Sequence, residues 1–325
     1  MRAIVLCVVM CAASARAVPE LAVSVEEADV LFGPALSGKA GEALKARIEK
    51  RRAVCAGDDE AVRRCRIEGG LKELFGKDKA AASVAVDLFR KTGTVVGLLP
   101  EQVMDGQYRG MLRLVPRLPT GAHRRHLNEA AAALTGLDEF FVDLEARAAK
   151  ATLGDPKRVS FRTRPLGLRF FESVKRRTPS AFAEGWTVSH NVSGSLFWSP
   201  RATADTYVHE IFHLNDEARA WWSARALKDV YGRIVARCGI DKACLTPYAP
   251  DGIVVKGGTY YAFMPDNGVI EYAADVGKRY VVEHRALFAG KAPKVPFRCA
   301  TPENAEAWRL VVDEFFGGID LLPPC

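Results

Sequence analysis

Apolar positions recur every three or four residues along 42–52, 60–75 and 80–90, the period that turns one face of an α-helix toward a core. Two short apolar runs of strand length follow at 95–99 and 111–115, then a proline-marked connection at 116–119. The helical period returns over 122–134 and 138–151, and Gly136 is expected to break the two apart. The Gly-Asp-Pro tract at 154–156 reads as a boundary, and beyond it the texture changes. Residues 158–162 read as a strand, 170–177 as a helix, and 186–190 with 195–198 as a strand pair around 191–194. Pro200 opens another helix, and Leu227, Val230, Tyr231, Ile234, Val235 and Cys238 form the apolar stripe of a later one. There is no repeat. The order of elements predicts an α+β protein, with a mostly helical region over 18–155 and a second domain over 156–325 built on a small sheet.

The first 17 residues stand apart from this pattern. Arg2, the apolar run 3–13 and the Ala15-Arg16-Ala17 site describe a secretory signal, with cleavage expected after Ala17. The run is too short to span a bilayer, so no transmembrane segment is expected. Six cysteines remain beyond it, an even number that suits an oxidising compartment and a secreted or envelope location. Sequence proximity favours Cys55–Cys65, Cys238–Cys244 and Cys299–Cys325. The formal charge of +7 falls to an excess of five once Arg2 and Arg16 leave. The basic clusters at 50–52, 63–64 and 175–177 are interleaved with acids and lack an aromatic stripe, which argues against a nucleic-acid partner.

The chemistry concentrates in Thr206-Tyr-Val-His-Glu-Ile-Phe-His-Leu-Asn-Asp216. On a helix His209 and His213 lie one above the other, so two imidazoles can converge on one ion. Glu210 is turned by about 100° from His209 and can address a water there without being a ligand. Val208, Ile211 and Phe212 fall on the opposite side and are expected to pack inward. A third ligand is needed. A metzincin glycine and third histidine are missing, since Asp216 and Arg219 occupy those positions. Glu271, 58 residues past His213, is the better candidate, on a helix that Asn267 can cap and along which Val269, Ala273, Val276 and Tyr280 repeat. Asp275, one turn further on the same face, can orient a histidine through its free ring N–H. Ala273 and Ala274 allow this helix to approach the first closely.

Together, Val208-His-Glu-Ile-Phe-His-Leu-Asn-Asp216 and Glu271-Tyr-Ala-Ala-Asp275 resemble the gluzincin metallopeptidases, over roughly residues 186–285. The tract from Tyr260-Tyr261-Ala262 to Glu271 is similar to the compact, lethal-factor-like branch, in which a tyrosine shortly before the glutamate ligand stabilises the oxyanion. Tyr261 lies ten residues before Glu271, three more than that pattern, so a small insertion is implied; Tyr261 is preferred to Tyr260 for the role. Gly258-Thr259 is also similar to the aspzincin pair, though tyrosines follow where acids are expected. The resemblance implies a zincin-like domain in which His209, His213 and Glu271 bind Zn²⁺ and leave a fourth position for water. Glu210 then serves as general base, and Tyr261 with the ion steadies the oxyanion, in a hydrolase of peptide bonds. A protein or peptide substrate is expected to lie extended along 195–198. Two other functions fit the same residues: a zinc-binding scaffold without catalysis, and a disulfide-stabilised envelope binding protein whose histidine pair is coincidental. Of the other histidines, His123 and His126 read as surface groups and His190 as structural, while His284 reads as a cation near a helix end. Asp216 reads as a solvated helix end, and Trp221 and Trp222 as core.

Overall fold

The computed structural model describes residues 24–106, 110–151, 158–249, 252–255, 257–264 and 268–325. The expected leader over 1–17, the boundary at 154–156 and the Asn267 cap lie outside them. Four helices open the chain: α1 (Val25–Phe32), α2 (Gly38–Arg52), α3 (Asp59–Leu74) and α4 (Lys79–Thr92). Their starts follow local chemistry. Ser24 caps α1 in a reciprocal box with Glu27, while the carboxylates of Asp58 and Asp78 accept the N–H groups of Ala61 and Ala81. Then come β1 (Val95–Leu98), β2 (Gln102–Asp105), β3 (Met111–Pro116) and the long α5 (Arg124–Ala151), followed by β4 (Gly167–Ser173), β5 (Ala181–Glu184) and β6 (Thr187–Asn191). Helices α6 (Pro200–Glu217), α7 (Trp222–Ala226), α8 (Lys228–Cys238), α9 (Lys242–Leu245), α10 (Gly268–Phe288) and α11 (Pro302–Phe315) complete the chain. The fold is mixed α and β, with more helix than sheet, as the α+β expectation required.

One sheet runs β2-β3-β4-β6-β5, with β1 joining β4 on the same side as β3. Pairings β1–β4 and β4–β6 are parallel; β2–β3, β3–β4 and β5–β6 are antiparallel. Strands from before and after residue 155 therefore share one sheet, and α5 lies along α6. A single large core takes Leu127, Leu134 and Phe141 from α5 together with Leu168, Ile211 and Phe212. The division at 155 does not separate two bodies, because β4 draws its partners from both sides of it.

Several local expectations are corrected. Residues 168–173 belong to the central strand β4, where a helix was expected over 170–177; both faces of β4 are covered, so its apolar run carries no alternation to mark it as a strand. Residues 158–162 form no strand; the backbone of Arg162 is instead bound by the side-chain amide of Asn215. Gly136 lies inside one continuous α5, with nothing crowding its position. The partner of β6 in its hairpin is β5, upstream, and 195–198 is a run of turns. That hairpin closes through Gly185 and Trp186, both at positive φ (52° and 57°), the type I′ geometry that suits strand twist but seldom takes tryptophan. The three disulfides pair as proximity suggested: Cys55–Cys65, Cys238–Cys244 and Cys299–Cys325. Among the described residues no helix is long and apolar enough to cross a membrane.

Candidate metal centre

Helix α6 starts where Ser199 accepts the Ala202 N–H at 3.1 Å and Pro200 fills the first turn. Its inner face, Tyr207, Val208, Ile211, Phe212 and Leu214, is buried to 1% exposure or less, which fixes the helix's rotation about its axis. His209 and His213 consequently face outward into a cleft, their rings edge-on at 4.8 Å. Helix α10 crosses against this one. Ala273 and Ala274 are fully buried, and a Cβ on Gly277 would fall 2.3 Å from the Phe212 ring, so the approach depends on small residues. That approach delivers Glu271 and Asp275 to the histidines.

His209 Nε2 lies 3.1 Å from His213 Nε2 and 2.9 Å from Glu271 Oε2, and His213 Nε2 lies 3.4 Å from that same oxygen. On its other side His209 directs Nδ1 to Asp275 Oδ1 at 3.3 Å. Lys278 Nζ meets the same Asp275 oxygen at 2.6 Å. With Nδ1–H directed to Asp275, a His209 that gives up its second proton turns a lone pair toward another imidazole nitrogen and a carboxylate, a set of acceptors that a cation satisfies in place of that proton. Four donors at about 2.0–2.2 Å around a tetrahedral ion stand roughly 3.3–3.6 Å apart, a few tenths of an ångström wider than the 2.9, 3.1 and 3.4 Å found here. Two imidazole nitrogens and one carboxylate oxygen are a donor set able to hold a divalent ion. Among the described residues this is the group of His, Cys, Asp and Glu side chains that meets in the way a metal requires.

The charges of these groups shift one another's titration. Burial alone would lower the His209 pKa, but bonds to Asp275 and Glu271 raise it to about 10. Burial would raise Glu271, and the two histidines bring it down to about 2. Asp275 is likewise raised by burial, yet the charge of Lys278 and the bond from His209 hold it well below the carboxylate range. Glu210 behaves oppositely: burial pushes it above its ordinary value, and the histidine charges only moderate that.

The cleft above has a volume of about 690 Å³ and is walled by α6, α10, the loop ending at Tyr261 and the segment 178–183. Tyr261 lines it, whereas Tyr260 is buried with its hydroxyl 3.1 Å from Thr246 Oγ1. Strand β5 is the sheet edge here. Asn191 N–H donates to Ser180 C=O at 2.9 Å, which sets the alternation, so Phe182 and Glu184 pair with β6 while Ala181 and Ala183 turn their backbone groups outward. Gly185, in the same phase as those alanines, donates its N–H to Glu217 at 3.1 Å.

Other side chains depart from the sequence expectations. Asp216 is fully buried and accepts both the N–H and hydroxyl of Ser223, pinning the turn after α6. In that turn Ala220 and Trp221 both adopt left-handed φ (52° and 55°), and Trp221 comes out 39% exposed on the cleft wall, not in the core. His126 is buried and hydrogen-bonds His190, which also reaches the Tyr207 hydroxyl at 3.1 Å. Burial lowers His126 to about 4, and burial likewise holds His190 well below the ordinary imidazole value. His284 is also buried, accepts the Leu321 N–H and is lowered by burial, so it is no helix-end cation. Sequence reading missed Lys278, although its position one turn beyond Asp275 was a usable signal. It had no signal for Trp221, whose placement depends on the backbone of a turn.

Comparison of the chain with protein-family models, with curated proteins and with solved structures finds no match. The residues and their geometry carry the functional case.

Proposed function

We propose that this protein is an exported zinc-dependent metallopeptidase whose catalytic region is of the gluzincin type, similar to the lethal-factor-like branch. The observation that carries the reading is the meeting of His209, His213 and Glu271 beneath a cleft that is also lined by Glu210 and by the edge strand β5. The three disulfides and the leader-like residues 1–17 support export. His209, His213 and Glu271 hold the ion, and Zn²⁺ when bound supplies a Lewis acid to a water and to the scissile carbonyl. Glu210 accepts a proton as the water attacks and delivers it to the leaving nitrogen; its burial brings it closer to the neutral range in which a carboxylate can do both. The Tyr261 hydroxyl donates to the oxygen on which charge develops. The outward N–H and C=O groups of Ala181 and Ala183 bind an extended peptide as an added strand, displacing 195–198 from the role expected of it.

The deciding experiment offers a proteome-derived peptide library to residues 18–325, wild type beside Glu210→Gln, both loaded with zinc. New termini should appear with the wild type, and Glu210→Gln should lose about 10²–10⁴ in turnover while keeping one zinc per chain. Equal cleavage by both would sink the mechanism. Bound zinc without cleavage by either would favour a non-catalytic zinc scaffold, and no bound metal an envelope binding protein.

A further inference from the structure

Lys278 takes no part in the chemistry proposed above, yet it stands on the cleft wall with its ammonium turned toward the metal centre. Its Nζ lies 2.6 Å from Asp275 Oδ1, the oxygen that also meets His209 Nδ1 at 3.3 Å. The side chains of Lys278, Asp275 and His209 are only 14%, 16% and 15% exposed. A lysine on a solvated helix face three residues from an aspartate contributes little, because water replaces it at almost no cost. Here little water has room to do so. Deleting one member of an enclosed pair leaves the other uncompensated.

The geometry gives Lys278 a specific hold. A carboxylate oxygen has two lone pairs, and at Asp275 Oδ1 one faces the ammonium while the other faces the imidazole. Rotation of the carboxylate about its last bond would break both contacts together.

We propose that Lys278 is a positioning residue of the metal centre: by gripping Asp275 Oδ1 it fixes the carboxylate that orients His209, and so sets how tightly the site holds a divalent cation. The proposal rests on the zinc reading above. Lys278 acts through Asp275 and touches no ligand atom itself, so its effect depends on that aspartate.

The test measures zinc affinity by competition with a chromophoric chelator, and the visible spectrum of the cobalt(II)-loaded protein, on residues 18–325. Wild type is compared with Lys278→Met, Lys278→Arg, Asp275→Asn and the Lys278→Met/Asp275→Asn double variant. Lys278→Met should weaken zinc binding by about tenfold or more and change the cobalt spectrum, and Lys278→Arg should recover most of both. The double variant should bind no more weakly than Asp275→Asn alone, because the lysine has nothing left to act on. If Lys278→Met disturbs folding, as melting of the metal-free form would reveal, Lys278→Gln replaces it in the same cycle. Wild-type affinity and spectrum in the lysine variant, or losses that simply add in the double variant, overturn the proposal and leave the zinc centre intact. A wild type that takes up no zinc overturns both.

Discussion

His209 sits between two carboxylates, Glu271 on one ring nitrogen and Asp275 on the other, and this gives it a pH behaviour unlike that of a free histidine. In the metal-free protein its pKa is raised to about 10, so at pH 7 it carries a proton that an arriving cation must expel. Zinc loading at pH 7 should release about one proton per ion, read by titration in weak buffer, and affinity should climb with pH up to about 10. The sign for stability is the reverse. The raised histidine stabilises the metal-free fold fully below about 6.5, its ordinary value, and that contribution fades as pH rises through about 10. Glu271, depressed to about 2, stabilises above its ordinary 4.5 and loses its contribution as pH falls through about 2. Uptake of zinc without proton release would contradict this account of His209. At this scale helical spacing was enough to place His209 with His213 on one helix face and Glu271 with Asp275 on another, and the structure brings those two faces together. The burial of Asp216, His126 and His284 was not readable, since nothing local to them reveals what packs over them.

The contact between α6 and α10 is what turns two separate motifs into one centre. It passes through Gly277 and the ring of Phe212, where the geometry has no room for even a methyl group. Gly277→Ala should force Phe212 or the helix axis to shift, at a cost of about 1–3 kcal/mol in denaturant unfolding, and weaken metal binding as Glu271 draws away from the histidines. Unchanged stability with unchanged zinc affinity would mean that Phe212 swings aside freely. Helices α2, α3 and α4 were visible as periodic patterns, and the helix carrying Glu271 was visible through its repeat of Val269, Ala273, Val276 and Tyr280. The strands were harder. Central β4 is covered on both faces and shows no alternation, while β5 is four residues long and ends in a turn whose second residue is tryptophan. That is why the expected substrate edge fell at 195–198, on the wrong flank of β6.

At the scale of the molecule, the sheet joins what the sequence texture had divided. Without residues 18–155, β4 would lose β1 and β3 along one side, and α6 would lose the cover of α5. Residues 156–325 alone should therefore show no cooperative thermal transition by circular dichroism, in contrast to residues 18–325. A cooperative melt of the shorter piece would restore the two-domain expectation. The change in texture near residue 155 was real, but it marked a change of element type within one core. No local pattern records which strands pair across such a distance.

The ligands' placement on two helices has a consequence in time. His209 and His213 are synthesised well before Glu271, and the three meet only after α10 docks against α6 through Gly277. A partly folded chain carries two histidines and an isolated acid, none of them held in place. The proposed hydrolytic power therefore arises only on completion of the fold. On that proposal, a copy in which α10 has not docked against α6 lacks the assembled site with which to cut the unfolded polypeptides around it.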